Sequence, residues 1–315
     1  MTTPAKHIIL NPVSAAGRTG RRQAEILSLF ERVVGGPYTL RVTRKPGEAT
    51  DFAKQALGDG AELIVAIGGD GTIQEVVNGF FVGGRLINRR ASLAVINAGT
   101  GHGFAQSLGL PEDLERQMRV AAGRTCRLID VGWARFMNGG AKPVERYFIN
   151  ECQAGIGGEV VRRVGVRSKR LGGALAFGLI SAAAALSAPG RPVIVQVDEE
   201  PARTHRLIGI VMANGSRMAG GMNLTPDAEL SDGLLDILLI HEQSRFERLR
   251  NFPKIYSGKH IGLASFSHRR GRRISVSSAE KIPFEADGEL WGTVPCRVEV
   301  LPRLLWVKSP VVGRE

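Results

Sequence analysis

One stretch decides the fold of this chain: Gly68-Gly69-Asp70-Gly71-Thr72-Ile73-Gln74-Glu75, which follows the apolar run 63–67. An uninterrupted apolar run closed by glycines is typical of a strand that is buried on both faces of a parallel sheet. Thr72 and Glu75 have the spacing of a capping box, and apolar residues with helical periodicity follow. The sequence therefore predicts a strand, a glycine turn and a helix that begins at Thr72.

This arrangement predicts an anion site. Glycine lets the backbone approach a phosphate closely, and the N–H groups of the first helical turn point at it. Asp70 lies inside the turn. A carboxylate repels phosphates unless a cation lies between them, so Asp70 is predicted to hold a metal or to transfer a proton. The alternative is a glycine turn in which Asp70 only caps the helix.

Similar strand ends occur elsewhere in the first hundred residues. Strand 7–10 is followed by Asn11 and a small-residue loop with arginines, strand 38–42 ends at Thr43, and strand 91–96 leads into the glycine-rich loop 97–105. Repeated strand–helix alternation predicts a doubly wound parallel sheet with right-handed crossovers, and ligands collect at the carboxyl ends of its strands. The predicted nucleotide-binding residues are Asn11, Thr43, Gly68, Gly69, Asp70, Gly71, Thr72, Glu75 and Thr100.

Length and charge restrict the classes that fit. The 315 residues exceed what one hydrophobic core usually serves, so two domains are expected. The 42 Lys and Arg against 30 Asp and Glu give a net charge of +12, which favours an anionic partner such as phosphate, nucleic acid or an anionic membrane surface. Nucleic acid is disfavoured, because aromatic residues are 6% and no basic–aromatic stacking pattern occurs.

The remaining composition points to the cytoplasm. The three cysteines are far apart and lack zinc spacing, as expected of free thiols in a reducing compartment. No signal peptide is recognised at the N-terminus, and the alanine-rich stretch 172–188 is too short for a membrane span. We therefore expect a cytoplasmic protein, with peripheral contact on the inner face of the membrane left open.

The character of the chain changes near residue 130. Strands are predicted at 133–136, 146–149, 193–197, 206–213, 234–240, 274–276, 282–285 and 296–300, and helices at 157–164, 171–186 and 243–256. Strands in close succession with turn residues between them predict an antiparallel β-sandwich.

Several motifs together resemble the diacylglycerol kinase catalytic family, which includes bacterial lipid kinases and sphingosine and ceramide kinases. They are Asn11-Pro12 with its loop, Gly-Gly-Asp-Gly-Thr-Ile-Gln-Glu-Val-Val-Asn-Gly at 68–79, Gly-Thr-Gly-His-Gly-Phe-Ala at 99–105, Ile-Asp-Val-Gly at 129–132, Phe-Ile-Asn at 148–150, Leu-Ser-Asp-Gly-Leu-Leu-Asp at 230–236 and Asp-Gly-Glu at 287–289. NAD kinases share the Gly-Gly-Asp-Gly-Thr turn but lack the later motifs. The resemblance implies an ATP-binding α/β catalytic domain at 1–129, with 303–315 returning to it, and a β-sandwich lipid-substrate domain at 130–302.

The implied activity is an ATP-dependent lipid kinase that phosphorylates the primary hydroxyl of a diacylglycerol- or sphingoid-type lipid, with Mg²⁺ as cofactor. The alternative is a catalytically impaired lipid- or nucleotide-binding relative. His102 and Gly103 motivate it, because the family usually has Asn at the first position and many bacterial members have Asp at the second.

The resemblance also assigns roles in the second domain. It implies a magnesium ion bound by Asp232 and by the backbone carbonyls of Glu229 and Leu234, although the residues alone favour an ordinary Asp-Gly turn. The resemblance offers two candidates for the general base: the residue matching Glu289 is the proposed base in bacterial members, and the residue matching Asp70 has that role in sphingosine kinases. Both remain candidates, and we predict Glu289.

The implied lipid substrate predicts contact with a membrane surface. The region 155–188 and the domain interface are expected to line an apolar cleft. A basic cluster, Arg269, Arg270, Arg272 and Arg273, is predicted to touch anionic headgroups, against the alternative of a solvated loop. A homodimer is left open.

Overall fold

The computed structural model describes residues 6–140, 142–167 and 174–311. The chain divides into two compact units, one formed by Met1–Ile129 with Arg303–Glu315 and the other by Asp130–Pro302. Each unit is built around its own buried apolar cluster.

The first unit alternates strands and helices. In chain order its elements are β1 (Lys6–Leu10), α1 (Arg18–Arg21), α2 (Gln23–Val33), β2 (Thr39–Val42), α3 (Glu48–Gly58), β3 (Leu63–Gly68), α4 (Asp70–Gly79), β4 (Phe81–Val82), β5 (Arg85–Leu86), β6 (Ser92–Asn97), α5 (Gly103–Ser107) and α6 (Leu114–Ala122). Strands β2, β1, β3 and β6 lie side by side and are all parallel. The predicted doubly wound α/β sheet is confirmed.

Strand β3 is buried along its whole length, as its apolar sequence predicted. Val65 and Ile67 belong to a cluster with Ile26 and Phe30 of α2, and the alternate residues of the strand face the other side of the sheet. On that side α3 and α4 pack closely. A Cβ at Gly79 would lie only 2.5 Å from the Thr50 carbonyl oxygen, so only glycine fits there. The sheet therefore carries helices on both faces.

The second unit is largely antiparallel. Its elements are β7 (Cys126–Met137, which starts in the first unit), β8 (Val144–Phe148), β9 (Glu151–Gly155), α7 (Ile156–Arg167), α8 (Ala174–Ser187), β10 (Arg191–Val197), β11 (Arg203–Ala213), β12 (Leu235–His241), α9 (Arg245–Asn251), α10 (Lys254–Ser257), β13 (Phe266–Gly271), β14 (Arg273–Ser277), β15 (Pro283–Ala286) and β16 (Glu289–Lys308, whose end belongs to the first unit).

The strands of this unit form a layered core. Strands β13, β12, β11, β10, β14 and β16 are hydrogen-bonded in that order, while β9 pairs with both β11 and β15. Aromatic side chains fill the space that the strands enclose, with Phe136 stacked on Trp291 at 5.2 Å between ring centroids. The predicted antiparallel β-sandwich is confirmed. The end of β16 runs parallel to β6 in the first unit through Trp306 and Val307.

Some predicted boundaries are wrong. The helix predicted at 243–256 is two helices, α9 and α10, separated at Phe252-Pro253, because proline lacks the N–H that a continuous helix needs. Strands β9 and β13 were not predicted, since polar residues interrupt their apolar pattern. The helix predicted at 171–186 begins outside the described residues, and α8 covers the rest. None of the described helices has the length and apolar content to cross a membrane.

Candidate functional site

The ends of four parallel strands meet at one edge of the first unit. The Asn11 N–H donates to the Ile67 carbonyl oxygen at 2.9 Å, which joins the end of β1 to the end of β3. The Ala98 N–H donates to the Gly68 carbonyl oxygen at 2.9 Å, which joins β6 to β3. Thr43 is buried at the end of β2 beside the end of β1. The structure therefore brings these strand ends together at one edge of the sheet, where the sequence predicted them.

The two glycine loops at this edge pack directly against each other. A Cβ at Gly99 would lie 2.5 Å from the Cα of Gly69, and a Cβ at Gly101 would overlap Oδ2 of Asp70. Side chains at Gly99 and Gly101 would therefore force the loops apart.

Asp70 occupies the centre of this arrangement. Its Oδ2 accepts the Gly103 N–H at 3.2 Å, whereas Oδ1 is buried and has no hydrogen-bond partner among the described residues. Burial raises the pKa of the Asp70 carboxyl, and the N–H groups of Gly103 and Phe104 and the charge of His102 only partly oppose this shift. The carboxylate bonds to the 99–103 loop instead of its own helix, and Gly69 is the N-cap residue. The capping alternative for Asp70 is therefore wrong.

The predicted capping box is also absent. Helix α4 begins at Asp70, two residues before Thr72, and its N-cap residue, Gly69, has no side chain that could cap it. The Thr72 hydroxyl oxygen accepts a hydrogen bond from Nδ2 of Asn11 at 2.9 Å. The Glu75 carboxylate accepts the N–H groups of Gly47 at 2.9 Å and Ala49 at 3.3 Å. Glu75 therefore fixes the start of α3. Thr100, the remaining predicted nucleotide-binding residue, lies exposed in the loop that follows β6.

The loop after β1 has an unusual backbone. Ala15 and Ala16 both adopt the left-handed conformation, at φ 52° and 54°, which is strained for alanine. Within the described residues their N–H groups have no hydrogen-bond acceptor. The loop is also basic: Arg18 and Arg21 are exposed, while Arg22 is paired with Glu25 at 2.7 Å. Free N–H groups beside basic side chains suit a phosphate.

In the second unit, Asp232 lies in a tight turn before β12. Its Oδ1 accepts the Leu234 N–H at 3.0 Å, and its Oδ2 is 3.8 Å from the Arg270 guanidinium. No group of three or more His, Cys, Asp or Glu side chains in the described chain could hold a metal. One carboxylate with nearby carbonyls fits Mg²⁺, which keeps several waters, but Arg270 is a competing cation.

The Asp-Gly-Glu turn between β15 and β16 is held by buried carboxyl groups. Asp287, at φ 48°, accepts the N–H groups of residues 149, 150 and 151 at 2.9–3.0 Å. Glu285 accepts the Gly288 N–H at 3.1 Å and is hydrogen-bonded to the buried Glu151. Glu289 is half-buried and is the first residue of β16. The turn thus presents Glu289 from a fixed backbone.

The sequence does not predict the buried carboxyl pair of Glu151 and Glu285. Burial raises the pKa of Glu285 well above its usual range, and the charge of Glu151 raises it further. The available signal was an acidic residue between Phe284 and Ala286 in an otherwise apolar strand. Whether such a residue faces the interior can be predicted only when the pairing of its strand is known.

The basic cluster does not form a free positive surface. Arg269 is 2.6 Å from Glu200, Arg270 is 3.2 Å from Asp236, and Arg273 is paired with Glu199. His268 also contacts the buried Asp236, at 2.7 Å. Acidic partners therefore offset much of the positive charge of these arginines.

A cavity of about 160 Å³ lies within the second unit. Its walls include Val193, Leu207 and Ile210, and it is also lined by three arginines, Arg162, Arg163 and Arg191. Arg162 and Arg163 are held by Glu159 at 2.8 Å. The cavity lies where the sequence predicted part of an apolar cleft, and it combines apolar walls with basic side chains.

Comparisons with known proteins agree with this architecture. Residues 6–134 match the profile described as the diacylglycerol kinase catalytic domain, and residues 150–309 match the YegS C-terminal NAD kinase beta sandwich-like domain. The diacylglycerol kinase of Bacillus subtilis (strain 168) is 31% identical over 305 residues, which cover 96% of this chain and 95% of that protein. The diacylglycerol kinase of Staphylococcus carnosus (strain TM300) is 28% identical over 303 residues, or 96% and 94% of the two chains.

Solved structures share the fold. A Bacillus anthracis (strain Sterne) protein solved as a candidate diacylglycerol kinase superposes with a TM-score of 0.77 at 21% identity, covering 99% of this chain and 97% of that one. An NAD kinase from Archaeoglobus fulgidus in complex with ATP superposes with a TM-score of 0.50 at 16% identity, covering 96% and 93%.

Proposed function

Since the chain belongs to the diacylglycerol kinase catalytic family, we propose that it is a lipid kinase that transfers the γ-phosphoryl group of ATP to the primary hydroxyl of a diacylglycerol- or sphingoid-type lipid. The observation that carries the proposal is the meeting of the glycine-rich strand ends around Asp70, whose Oδ1 is buried and has no partner in the part of the chain that the structure describes. An unsatisfied buried carboxylate oxygen beside backbone N–H groups is the chemistry that a metal–phosphate pair would complete.

The first unit is proposed to bind ATP. The N–H groups of Ala15 and Ala16 and the start of α4 would hold phosphate oxygens, with Arg18 and Arg21 contributing charge. Phosphoryl transfer depends mostly on positioning and charge stabilisation, so this preformed cradle supplies much of what the reaction needs. The ATP bound to the Archaeoglobus fulgidus neighbour supports this choice of nucleotide.

Two magnesium roles are proposed. Asp70 would hold the ion that accompanies ATP, which neutralises charge on the phosphates when bound, because the free Oδ1 is a hard oxygen ligand. Asp232, with the carbonyls of Glu229 and Leu234, would hold a structural ion. Arg270 beside Asp232 weakens that second site relative to the first.

Glu289 is proposed as the general base. The acceptor hydroxyl must lose its proton as the new bond forms, and a carboxylate within hydrogen-bond reach can accept it. Glu289 is half-buried on a turn that Asp287 and Glu285 fix, so it is both accessible and positioned. In Asp70 the Oδ1 atom is buried and has no hydrogen-bond partner among the described residues, which favours the metal role for it.

The second unit is proposed to bind the lipid. The cavity beside α7 has apolar walls for part of an acyl chain, and arginines that a polar headgroup could meet. Its volume of about 160 Å³ equals roughly five waters at about 30 Å³ each, so it would take only part of a long chain.

Labelled ATP and a mixed lipid panel test the function. We expect magnesium-dependent transfer of the γ-label to a lipid that carries a free primary hydroxyl, and none to the matching lipid in which that hydroxyl is methylated. Hydrolysis of ATP without a labelled lipid, under every condition of the panel, would contradict the proposal.

A second candidate function is binding without transfer. His102 and Gly103 favour it, because the first adopts a left-handed conformation at φ 60° and the second offers Asp70 only a backbone N–H. Saturable binding of ATP and lipid with no labelled product would support this candidate.

A further inference from the structure

Helix α9 has an outer face that no other part of the described chain covers. Phe246 is 73% exposed and Leu249 is 60% exposed, which is unusual for such large apolar side chains. At about 100° per residue, Arg245, Leu249, Phe246 and Arg250 follow one another around an arc of about 140°. The two apolar residues are therefore flanked on both sides by exposed arginines. We call these four residues the α9 patch.

The helix is held firmly from its other side. Arg248 is buried, and its guanidinium donates to the Gln243, Ala185 and Ala188 carbonyl oxygens at 2.9, 3.0 and 2.5 Å. Ser244 and Glu247 form a capping box at its start. The α9 patch is thus presented by an anchored helix, and its exposure does not result from a frayed end.

No ion pair within the described chain neutralises the arginines of the patch, although the charge of Arg250 acts on the nearby Glu247 carboxylate. Glu247 is the only acidic residue of α9, and its carboxylate is used by the capping box. Arg245 and Arg250 are exposed, and no ion pair joins either of them to another described residue. An apolar pair between two free cations is complementary to one kind of surface, in which negative charge lies above hydrocarbon.

We propose that the α9 patch docks the protein on an anionic lipid bilayer. Phe246 and Leu249 would enter the boundary between headgroups and acyl chains, and the arginines would meet lipid phosphates while their stems stay beside the apolar pair. The inference rests on the proposed function, because a lipid kinase must meet its acceptor at a membrane, and it names the surface that makes the contact.

The basic cluster at 269–273 is the competing surface, and it is less suitable. Three of its four arginines are paired with Glu200, Asp236 and Glu199. No exposed large apolar side chain lies in the strand segments that carry it. These ion pairs would have to be broken before the arginines could meet lipid.

Vesicle co-sedimentation without ATP tests the proposal. The full chain should bind vesicles of phosphatidylglycerol and phosphatidylcholine, more weakly as salt rises, and bind pure phosphatidylcholine poorly. The double variant Phe246→Ser/Leu249→Ser should bind at least about tenfold more weakly. Arg245→Gln/Arg250→Gln should bind about 30-fold more weakly, from two steps of about 1 kcal/mol each. The matched control, Arg272→Gln/Arg273→Gln, should bind within about twofold of the wild type.

Three results would overturn the proposal: no binding of the wild type to anionic vesicles, unchanged binding of both α9 variants, or loss of binding in the control alone. Sedimentation velocity covers a further outcome, in which the wild type is a dimer that Phe246→Ser/Leu249→Ser dissociates; the patch would then be a subunit interface. Failure of the proposed function is separate, because kinase activity on lipid in detergent micelles should be unchanged in the α9 variants.

Discussion

Burial of the Asp70 carboxyl raises its pKa, and among the described residues the N–H groups of Gly103 and Phe104 and the charge of His102 only partly oppose this shift. A carboxyl whose pKa is raised in the folded protein contributes stability that is fully present below its unfolded pKa of about 3.9, and that is lost as pH rises through the folded pKa. The site therefore has a cost in stability at neutral pH, which a bound cation would remove.

Asp70→Asn should separate stability from activity. The amide oxygen can keep the hydrogen bond from the Gly103 N–H, while the buried negative charge is lost. We expect the variant to be about 1 kcal/mol more stable than the wild type at pH 8, with a smaller difference at pH 4, and to lose phosphoryl transfer and magnesium–ATP affinity. Denaturant unfolding at both pH values and an ATP titration check this. Lower stability of the variant at pH 8 would contradict the burial argument.

Glu285 gives a second pH dependence of the same sign. Its raised pKa means that its contribution to stability is present below about pH 4.3 and is lost as pH rises through the higher folded pKa. Glu285→Gln resembles the protonated acid and can still accept the Gly288 N–H. We expect this variant to unfold at a temperature that varies less with pH than that of the wild type.

Glu285→Ala is the matched comparison. It removes the acceptor of the Gly288 N–H as well as the charge, so we expect it to be less stable than Glu285→Gln by about 1–3 kcal/mol throughout the pH range. Equal pH profiles for the wild type and Glu285→Gln would mean that the buried pair does not titrate as described.

At the scale of elements, the turn before β12 offers a direct test of the structural magnesium. Asp232→Asn keeps an acceptor for the Leu234 N–H but is a weaker magnesium ligand, whereas Asp232→Ala loses both. We expect magnesium to raise the melting temperature of the wild type more than that of either variant, because the variants keep only the Asp70 site, and we expect only Asp232→Ala to be destabilised without metal. If magnesium stabilises no form of the protein, or stabilises Asp232→Asn as much as the wild type, Asp232 holds no magnesium and its role is only to form the turn.

The elements that the sequence predicted best are those with local causes. Strand β3 and its glycine turn can be predicted from residues 63–71 alone, because the apolar run and the glycines that allow the turn are adjacent in the sequence. The break in the 243–256 helix was also visible locally, in Pro253. The predicted start of α4 at Thr72 is wrong because Thr72 and Glu75, which have the spacing of a capping box, are hydrogen-bonded to distant partners instead.

At the scale of the whole molecule, long-range pairing accounts for what the sequence could not predict. Glu285 pairs with Glu151 across more than a hundred residues, and Arg270 reaches Asp236 from another strand. Neither pairing has a periodicity or spacing that reveals it. The basic cluster consequently looked free in the sequence, while the exposed face of α9 was hidden in a pattern that resembles an ordinary amphipathic helix.

The central claim is that this chain moves a phosphoryl group from ATP to a lipid hydroxyl, using Glu289 as base and Asp70 as metal ligand. The most direct measurement is the rate of γ-label transfer to the lipid identified by the panel, in the wild type, Glu289→Gln and Asp70→Asn. We predict transfer by the wild type, a loss in kcat of about 10²–10⁴-fold in Glu289→Gln with ATP affinity little changed, and loss of both kcat and ATP affinity in Asp70→Asn. Absence of transfer by the wild type, or full kcat in Glu289→Gln with a pure kcat loss in Asp70→Asn, would contradict the account.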